Sequence, residues 1–350
     1  PFIFASPRYS RYWYPYSRFP DLYVVPEMIL LLIVIISFLY FLKISDSSFN
    51  LFFWSRASKK TESDYYRNKV VWLVGGSSGI GEDLAVRLAR FSPLLILSAR
   101  REEELERVRE RCKKANPSCE VKTLPLDLLQ FSEMPEKVAA ADEIFGRKVD
   151  IVILNAGRSQ RAEWTDIDPS VDVECYQINA VAPTQLTRCL LKYRGLHPTI
   201  AKTDNLQFVV VSSVAGLVPA VLSASYGAAK GALNQYFRLL AVEMGEKGVK
   251  VSIVNPSLVY APNNPLTAFT SEKNKSNGEV LAGPTKAHMK SERAAELISL
   301  AAVHEIFETV ISASPMVLLL TYLNAVAPGL TFKLVMFGGV ERLRKLRKGE

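Results

Sequence analysis

The sequence VVWLVGGSSGIG, residues 70–81, decides the fold of this chain. It begins with an unbroken apolar run, typical of a strand buried in a sheet, and residues 82–90 after the glycines have the pattern of an amphipathic helix. Backbone N–H groups at the start of such a helix point at a bound pyrophosphate, and residues without a Cβ let the main chain approach it. The sequence therefore predicts a dinucleotide-binding turn formed by Gly75, Ser77, Ser78, Gly79, Ile80 and Gly81.

More apolar runs follow this turn, and long segments with helical patterns separate them. These runs are residues 94–97, 121–124, 151–154, 208–211 and 251–254. Because most of them are apolar throughout, both faces of the sheet must be covered, and every connection is long enough to hold a helix. The pattern predicts an α/β fold with a doubly wound parallel sheet of the Rossmann type, in a domain that spans residues 60–312.

The end of the second predicted strand bears on the choice of cofactor. The sequence there, LSARR at residues 97–101, lacks the carboxylate that would bind the adenosine ribose hydroxyls of NAD(H). Arg100 offers a cation for a 2′-phosphate, so NADP(H) is favoured over NAD(H); the alternative is an ordinary surface charge beside the acidic residues 102–104. Asp127, after the third strand, either accepts a hydrogen bond from the adenine amino group or caps the next turn.

A second group of polar residues has the composition of an acid–base site. Tyr226 and Lys230 are four residues apart in a segment, 223–246, with a helical pattern, so both project from one face. A neighbouring ammonium stabilises a phenolate and lowers its pKa toward the range useful for proton transfer. Ser213 stands thirteen residues before the tyrosine, at the end of a predicted strand, where its hydroxyl can join the pair.

With these motifs in this order, the sequence resembles the classical short-chain dehydrogenases/reductases over roughly residues 68–312. The family's TGxxxGxG turn is similar to residues 74–81, its NNAG strand end to residues 154–157, and its YxxxK pair to residues 226–230. The resemblance implies a nicotinamide-dependent oxidoreductase that transfers a hydride between cofactor and substrate. The rival interpretation is a membrane-tethered NADP(H)-binding scaffold without turnover.

The resemblance also implies a role for each matched residue. Tyr226 is then the general acid/base, Ser213 holds the substrate oxygen, and Lys230 binds the nicotinamide ribose and tunes the tyrosine. Asn179 supports a proton relay through water. Asp127 and Asn155 fall on the family's adenine and ribose positions.

A narrower resemblance, within the family, is to membrane-bound microsomal members. It is carried by residues 98–112, 124–128, 159–161 and 321–323. It implies an anchor in the endoplasmic reticulum, NADP(H) as cofactor, and lipophilic carbonyl or alcohol substrates such as steroids, retinoids or xenobiotics.

Four residues depart from the family's pattern. Val74 and Leu154 replace a Thr and an Asn, which removes polar links inside the sheet but keeps apolar bulk. Ser257 follows Pro256 where the family has Gly, and Ala261 stands where a Thr or Ser usually contacts the cofactor. A Cβ near the nicotinamide crowds it, and alanine has no hydroxyl, so these two changes predict weaker cofactor binding.

The N-terminal segments predict attachment to a membrane. Residues 28–42 form a run of fifteen residues without charge, Gly or Pro, short for a full span of a bilayer core of about 30 Å. We expect residues 28–44 to be a retained membrane anchor, with a cleaved signal segment or a buried helix as the alternatives. Residues 1–27 are expected to be an unstructured leader, or else an interfacial segment.

The C-terminal segment, 313–350, combines two short apolar stretches with a basic end. This pattern fits a segment on a membrane or along a greasy substrate entrance, and equally a helix packed on the core with a solvated tail. The net charge of +8 suits an anionic surface or a phosphorylated ligand; the tail lacks the interleaved aromatics of a nucleic-acid binder. Scattered Cys and His residues argue against a metal centre, and the sequence is compatible with a homo-oligomer.

Overall fold

The computed structural model describes residues 21–91, 93–201, 203–262, 268–272, 276–277, 286–341 and 344. Two sequence predictions therefore fall partly outside the described residues: the leader and the basic C-terminal end. The chain divides into two units, one that ends at Ile44 and one that begins at Ser45.

The second unit is built on a seven-stranded sheet in which every neighbouring pair is parallel. Its strands are β1 (Val70–Val74), β2 (Leu94–Ser98), β3 (Val121–Thr123), β4 (Ile151–Leu154), β5 (Leu206–Val211), β6 (Val249–Pro256) and β11 (Glu308–Ile311). The strand order is β11-β6-β5-β4-β1-β2-β3, so the chain runs outward from β1 in one direction and then from β4 in the other. The predicted doubly wound parallel sheet is confirmed.

Four short strands form two small pairs outside this sheet. β7 (Val259–Tyr260) pairs in parallel with β10 (Met289–Lys290), and β8 (Ala268–Phe269) pairs in antiparallel fashion with β9 (Ser276–Asn277). Both pairs lie in the stretch after β6, beyond the carboxyl end of the central strands, where ligands bind in sheets of this type.

Helices cover both faces of the sheet and enclose a separate apolar core on each side. In the second unit they are α2 (Phe49–Ala57), α3 (Glu62–Tyr66), α4 (Gly79–Ala89), α5 (Glu102–Ala115), α6 (Met134–Glu143), α7 (Pro169–Tyr176), α8 (Ala182–Tyr193), α9 (Ala224–Met244), α10 (Ser291–Val303), α11 (Pro315–Val326) and α12 (Pro328–Phe337). α4, α5 and α10 contribute to one core, and α6, α8 and α9 to the other. Successive side chains along each strand point into opposite cores, so both sets must be apolar, and the strands are therefore apolar throughout.

The first unit contains one described helix, α1 (Asp21–Ile44), of 24 residues. At 1.5 Å per residue it is about 36 Å long. It is longer than the predicted anchor because it begins at Asp21, on the N-terminal side of the uncharged run. Its segment Glu27–Ile44 is long and apolar enough to cross a membrane. The predicted N-terminal hydrophobic helix is therefore present.

The C-terminal helix α11 is tied to the rest of the second unit by specific contacts. The Asn324 amide donates to the Leu217 carbonyl at 2.9 Å, and the Tyr322 hydroxyl accepts from the Phe49 backbone N–H at 2.7 Å. Both contacts fit a helix packed on the core. Several apolar side chains of α12 are nonetheless exposed, among them Phe332 and Phe337, so association of this segment with a membrane stays a prediction.

Candidate active site

The predicted dinucleotide-binding turn joins β1 to α4 and is held by main-chain geometry. Gly75 and Gly79 adopt positive φ angles of 89° and 59°, which favour glycine. A Cβ on Gly81 would lie 1.9 Å from the Gly75 carbonyl oxygen, a distance that no side chain can have. The turn therefore needs glycine for its shape, and it leaves the N-terminus of α4 as a cradle for an anion.

Asn155, at the end of β4, closes the turn from the neighbouring strand. Its Nδ2 donates to the Gly75 carbonyl at 2.8 Å. The backbone N–H groups of Asn155 and Ala156 donate to the Val74 carbonyl at 2.9 and 3.0 Å. Val74 and Leu154, which replace polar residues of the family's pattern, are buried in the core, so the main-chain links hold this corner without their side chains.

The two residues predicted for the adenosine half lie where the sequence suggested, next to β2 and β3. Arg100 is exposed just beyond the end of β2. Asp127 accepts a hydrogen bond from the Leu129 backbone N–H at 3.0 Å through its Oδ1. In this arrangement Asp127 caps a turn, which is one of its two predicted roles. The bond uses Oδ1 and leaves Oδ2 for the other predicted role, a hydrogen bond to adenine.

Tyr226 and Lys230 lie one turn apart on α9 and face the same side. The Lys230 Nζ is 5.8 Å from the centroid of the Tyr226 ring and donates to the Val211 carbonyl at 3.0 Å. Lys230 is buried, and burial lowers its pKa to about 8, an effect that the nearby Cys175 partly opposes. Near neutral pH the lysine thus retains most of its charge beside the phenol.

Ser213 begins the turn after β5, and this turn packs directly on α9. Its Oγ accepts from the Ala215 backbone N–H at 3.2 Å. The Ala215 carbonyl in turn lies 2.9 Å from where a Cβ on Gly227 would be. Gly216, in the same turn, is as tight, since its Cβ would lie 2.7 Å from the backbone of Lys230 and Gly231. The serine turn and the tyrosine helix thus approach each other closely because both positions lack a side chain.

Asn179 lies in a π-helical segment, Gln177–Val181, that interrupts the helix between α7 and α8. Its Nδ2 donates to the carbonyls of Arg158 at 2.8 Å and of Cys175 at 2.9 Å, and its Oδ1 accepts from the Arg158 backbone N–H at 3.1 Å. π-Helical insertions are rare and often occur at functional sites. Here the insertion accompanies a buried amide that is fixed by main-chain atoms.

Gly157 connects these groups to the dinucleotide turn. A Cβ on this residue would lie 2.6 Å from the Asn179 Oδ1 and 3.4 Å from the Lys230 Nζ. Gly157 follows Asn155 by two residues at the end of β4. The structure therefore brings Asn155, Asn179, Lys230 and Tyr226 together at one edge of the sheet, with Ser213 on the adjoining turn.

Two groups at this edge were not anticipated from the sequence. The Arg158 guanidinium lies 3.6 Å from the centroid of the Phe269 ring, and Phe269 belongs to the buried cluster on which Tyr226 packs. On the other side of the turn, the carboxylate of Glu82 is fully buried and pairs with Arg107 and Arg111 of α5. For the second group the sequence shows only the spacing of four residues between the two arginines, which places them on one face of a helix but does not indicate the carboxylate that they meet.

Ser257 and Ala261 follow β6, as the sequence predicted. The Ser257 backbone N–H donates to the Ile311 carbonyl at 2.9 Å, which fixes this residue to the edge strand. Its Oγ is buried and has no hydrogen-bond partner among the described residues. A buried hydroxyl of this kind is costly unless a bound group satisfies it.

Comparison with known proteins agrees with this geometry. The sequence pattern of the family described as short chain dehydrogenase matches residues 69–269, more than half of the chain. The chain therefore belongs to the short-chain dehydrogenase/reductase family of oxidoreductases, as its motifs indicated.

Individual relatives narrow the comparison. Dehydrogenase/reductase SDR family member 7 of Mus musculus is 33% identical over 82% of each chain, and the Homo sapiens protein of the same name is 31% identical over 91% of each chain. The narrower resemblance drawn from the sequence, which is to this member of the family, is confirmed. Among solved structures, an actinorhodin polyketide ketoreductase crystallised with NADPH is 25% identical, covers 57% of this chain and 73% of its own, and gives a TM-score of 0.50.

Proposed function

We propose that the protein is an NADP(H)-dependent oxidoreductase that interconverts a lipophilic carbonyl compound and its alcohol, with Tyr226 as the general acid/base. The observation that carries the proposal is the convergence of Tyr226, Lys230 and Asn179 beside Gly157, at the same sheet edge as a glycine turn that can accept a pyrophosphate. A dinucleotide-binding turn and an acid–base pair on one edge are what hydride transfer to a carbonyl requires.

The residues of the turn fit a nicotinamide dinucleotide. Gly75 and Gly79 adopt positive φ angles, and Gly81 packs directly against the Gly75 carbonyl, so the turn keeps the tight shape that presents the N-terminus of α4 to a pyrophosphate. Asn155 would bind a ribose, Asp127 the adenine, and Ser77, Ser78 and Ile80 would line the phosphates. Arg100 favours NADP(H), a preference that the NADPH complex of the actinorhodin ketoreductase supports by analogy.

A nicotinamide cofactor held by the turn at residues 75–81 would supply the hydride for the carbonyl carbon in the reduction direction. Ser213, whose Oγ already accepts from the Ala215 N–H, has its own hydrogen to donate to the carbonyl oxygen. Tyr226 delivers the proton to that oxygen, and the Lys230 ammonium stabilises the phenolate that remains. The Asn179 amide is held by three main-chain contacts and would position the water that returns a proton to the tyrosine.

A cavity between the serine turn, the start of α9 and α12 offers room for a lipophilic substrate. It has a volume of about 440 Å³, typical of small-molecule sites. Its mainly apolar walls come from residues 162–164, from Ala215, residues 219–224, Gly227 and Ala228, and from α12. Ser213 and Tyr226 lie next to this wall in the chain but do not line the cavity. Leu222, one of the lining residues, adopts a left-handed φ of 62°, and strain of this kind at a non-glycine residue is often tied to function.

The apolar helix α1 supports attachment to a membrane, and the narrower family resemblance supports the endoplasmic reticulum as its location. A lipophilic substrate concentrated in the bilayer would then meet the enzyme at the membrane. The exposed apolar residues of α12 are consistent with a second contact between the protein and the lipid surface.

The test is NADPH oxidation by the full chain in detergent or vesicles, with a panel of lipophilic ketones and aldehydes, and Tyr226→Phe as the matched variant. We expect the variant to lose 10²-fold to 10⁴-fold in rate, of the order expected for a positioned acid, while NADPH binding persists. Equal rates in the two proteins would remove the role assigned to the hydroxyl. Binding of NADPH without turnover of any substrate would favour the rival interpretation, a scaffold without turnover. The departures from the family's pattern at Ser257 and Ala261 are the reason to test for it.

A further inference from the structure

The first turn of α4 contains a charge that should oppose cofactor binding. Glu82 directly follows the last glycine of the dinucleotide-binding turn, and it is fully buried. The N-terminus of this helix is also where the anionic pyrophosphate would bind. A buried carboxylate close to a phosphate site repels the ligand unless its charge is cancelled.

Two arginines of α5 cancel this charge. The Arg107 guanidinium contacts both carboxylate oxygens of Glu82, at 2.6 and 2.8 Å, and Arg111 contacts Oε1 from one turn further along the helix. A paired contact of the first kind is the strongest geometry available to an arginine and a carboxylate. Burial alone would raise the pKa of Glu82, but hydrogen bonds from the two arginines outweigh it and lower that pKa.

Arg107 differs from Arg111 in a contact with the turn itself. Its Nη2 donates to the Ser77 carbonyl at 3.3 Å, and its Nε donates to Glu104 at 2.9 Å. Arg107 therefore joins the buried carboxylate to the loop that would surround the phosphates, whereas Arg111, among the described residues, contacts the carboxylate alone. This makes Arg111 a matched control on the same face of the same helix.

We propose that Arg107 is a positioning residue for the cofactor: it cancels the charge of Glu82 beneath the dinucleotide-binding turn, so that the turn can accept a pyrophosphate. The inference rests on the proposed dinucleotide site but is independent of the substrate and of the choice between NADPH and NADH. Since both cofactors carry the same pyrophosphate, the loss of Arg107 must weaken both. Loss of Arg100, which is proposed to read the 2′-phosphate, must weaken NADPH alone.

The experiment measures dissociation constants of NADPH and NADH by cofactor fluorescence in the full chain, well below the melting temperature of each variant. For Arg107→Met we expect both constants to rise about tenfold, since a buried charge is left partly uncompensated. For Arg111→Met we expect a change below about threefold, because the paired contact of Arg107 remains. In the double variant Glu82→Gln/Arg107→Met, removal of the charge should restore both constants to within about threefold of the parent protein.

Several outcomes would overturn the inference. One is an unchanged pair of constants in Arg107→Met, and another is a loss confined to NADPH, which would make Arg107 a direct reader of the 2′-phosphate. A double variant as weak as the single one would exclude charge cancellation as the cause. If Arg107→Met does not fold, the comparison of the double variant with Glu82→Gln decides, because equal constants in these two proteins are expected. A parent protein that binds neither cofactor would refute the proposed function instead.

Discussion

The dinucleotide-binding turn and the proposed acid–base group, formed by Tyr226, Lys230 and Asn179, lie at one edge of the same sheet but depend on opposite features. The turn depends on atoms that are absent: a Cβ on Gly81 would overlap the Gly75 carbonyl. The acid–base group depends instead on side-chain atoms: the Tyr226 hydroxyl, the Lys230 ammonium and the Asn179 amide. Changes in the turn should therefore lower both the stability of the fold and cofactor binding. Changes in the acid–base group should lower activity without lowering stability.

The largest effect is expected at Gly81, where the turn has no room. Gly81→Ala should destabilise the protein by more than about 3 kcal/mol, since the Gly75 main chain must move to avoid the new methyl group. Urea unfolding and NADPH binding would measure the change. Gly245→Ala is the control, because a Cβ at that position meets no described atom within 4 Å outside the adjoining backbone; it should change stability by less than about 1 kcal/mol. Similar effects in both variants would break the contrast.

Lys230→Met tests the other side of the comparison, since it should abolish activity and yet stabilise the fold. Burial lowers the Lys230 pKa from 10.5 to about 8, which corresponds to a cost of about 3 kcal/mol for keeping this group charged in the folded state. The lost hydrogen bond to Val211 offsets part of that, so we expect a net gain of about 2 kcal/mol at pH 7.

The sign of this effect fixes its pH dependence. The folded-state pKa lies below the unfolded one, so between about pH 8 and 10.5 the unfolded chain binds more protons and the parent protein gains stability as pH rises. The advantage of Lys230→Met should be complete below pH 8 and should vanish as pH approaches 10.5. Urea unfolding at pH 7 and pH 10 measures it; a constant difference would show that the charge of Lys230 is not the cause.

The smallest effect is expected where the cofactor site departs from the family's pattern. Ser257→Gly removes a Cβ and an unpartnered hydroxyl, and Ala261→Ser restores a hydroxyl. Each change should tighten NADPH binding about twofold to fivefold, because the first relieves crowding by a Cβ and the second restores a hydroxyl that can contact the cofactor. Fluorescence titration of both variants and of their combination would measure this. Unchanged constants would contradict the prediction of weakened binding.

Much of the fold and the membership of the family could be read from the sequence, because strand burial and glycine geometry leave direct traces in it. The six predicted strands are present, with shifts of a few residues at most. The seventh, Glu308–Ile311, was missed because it is short and carries a charge. It becomes a strand through its pairing with β6, a tertiary effect that no local pattern encodes.

The parts that escaped prediction share a physical cause. Glu82 has the appearance of a solvated residue on an amphipathic helix, but two arginines about 25 residues further along bury its charge. The stacking of Arg158 on Phe269 joins segments more than 100 residues apart. Such pairs depend on how the chain folds back on itself, and single-sequence patterns contain no information on which distant charges meet.

The π-helical segment has a consequence for how this protein can vary. An extra residue in one turn changes the angular relation of the flanking helices by about 100°, so deletion of a single amino acid between α7 and α8 would rotate one against the other. The Asn179 amide would then leave the carbonyls of Arg158 and Cys175 that now hold it. At this point of the chain the number of residues matters more than their identity, and we expect the segment to tolerate replacement of exposed side chains far better than any change in its length.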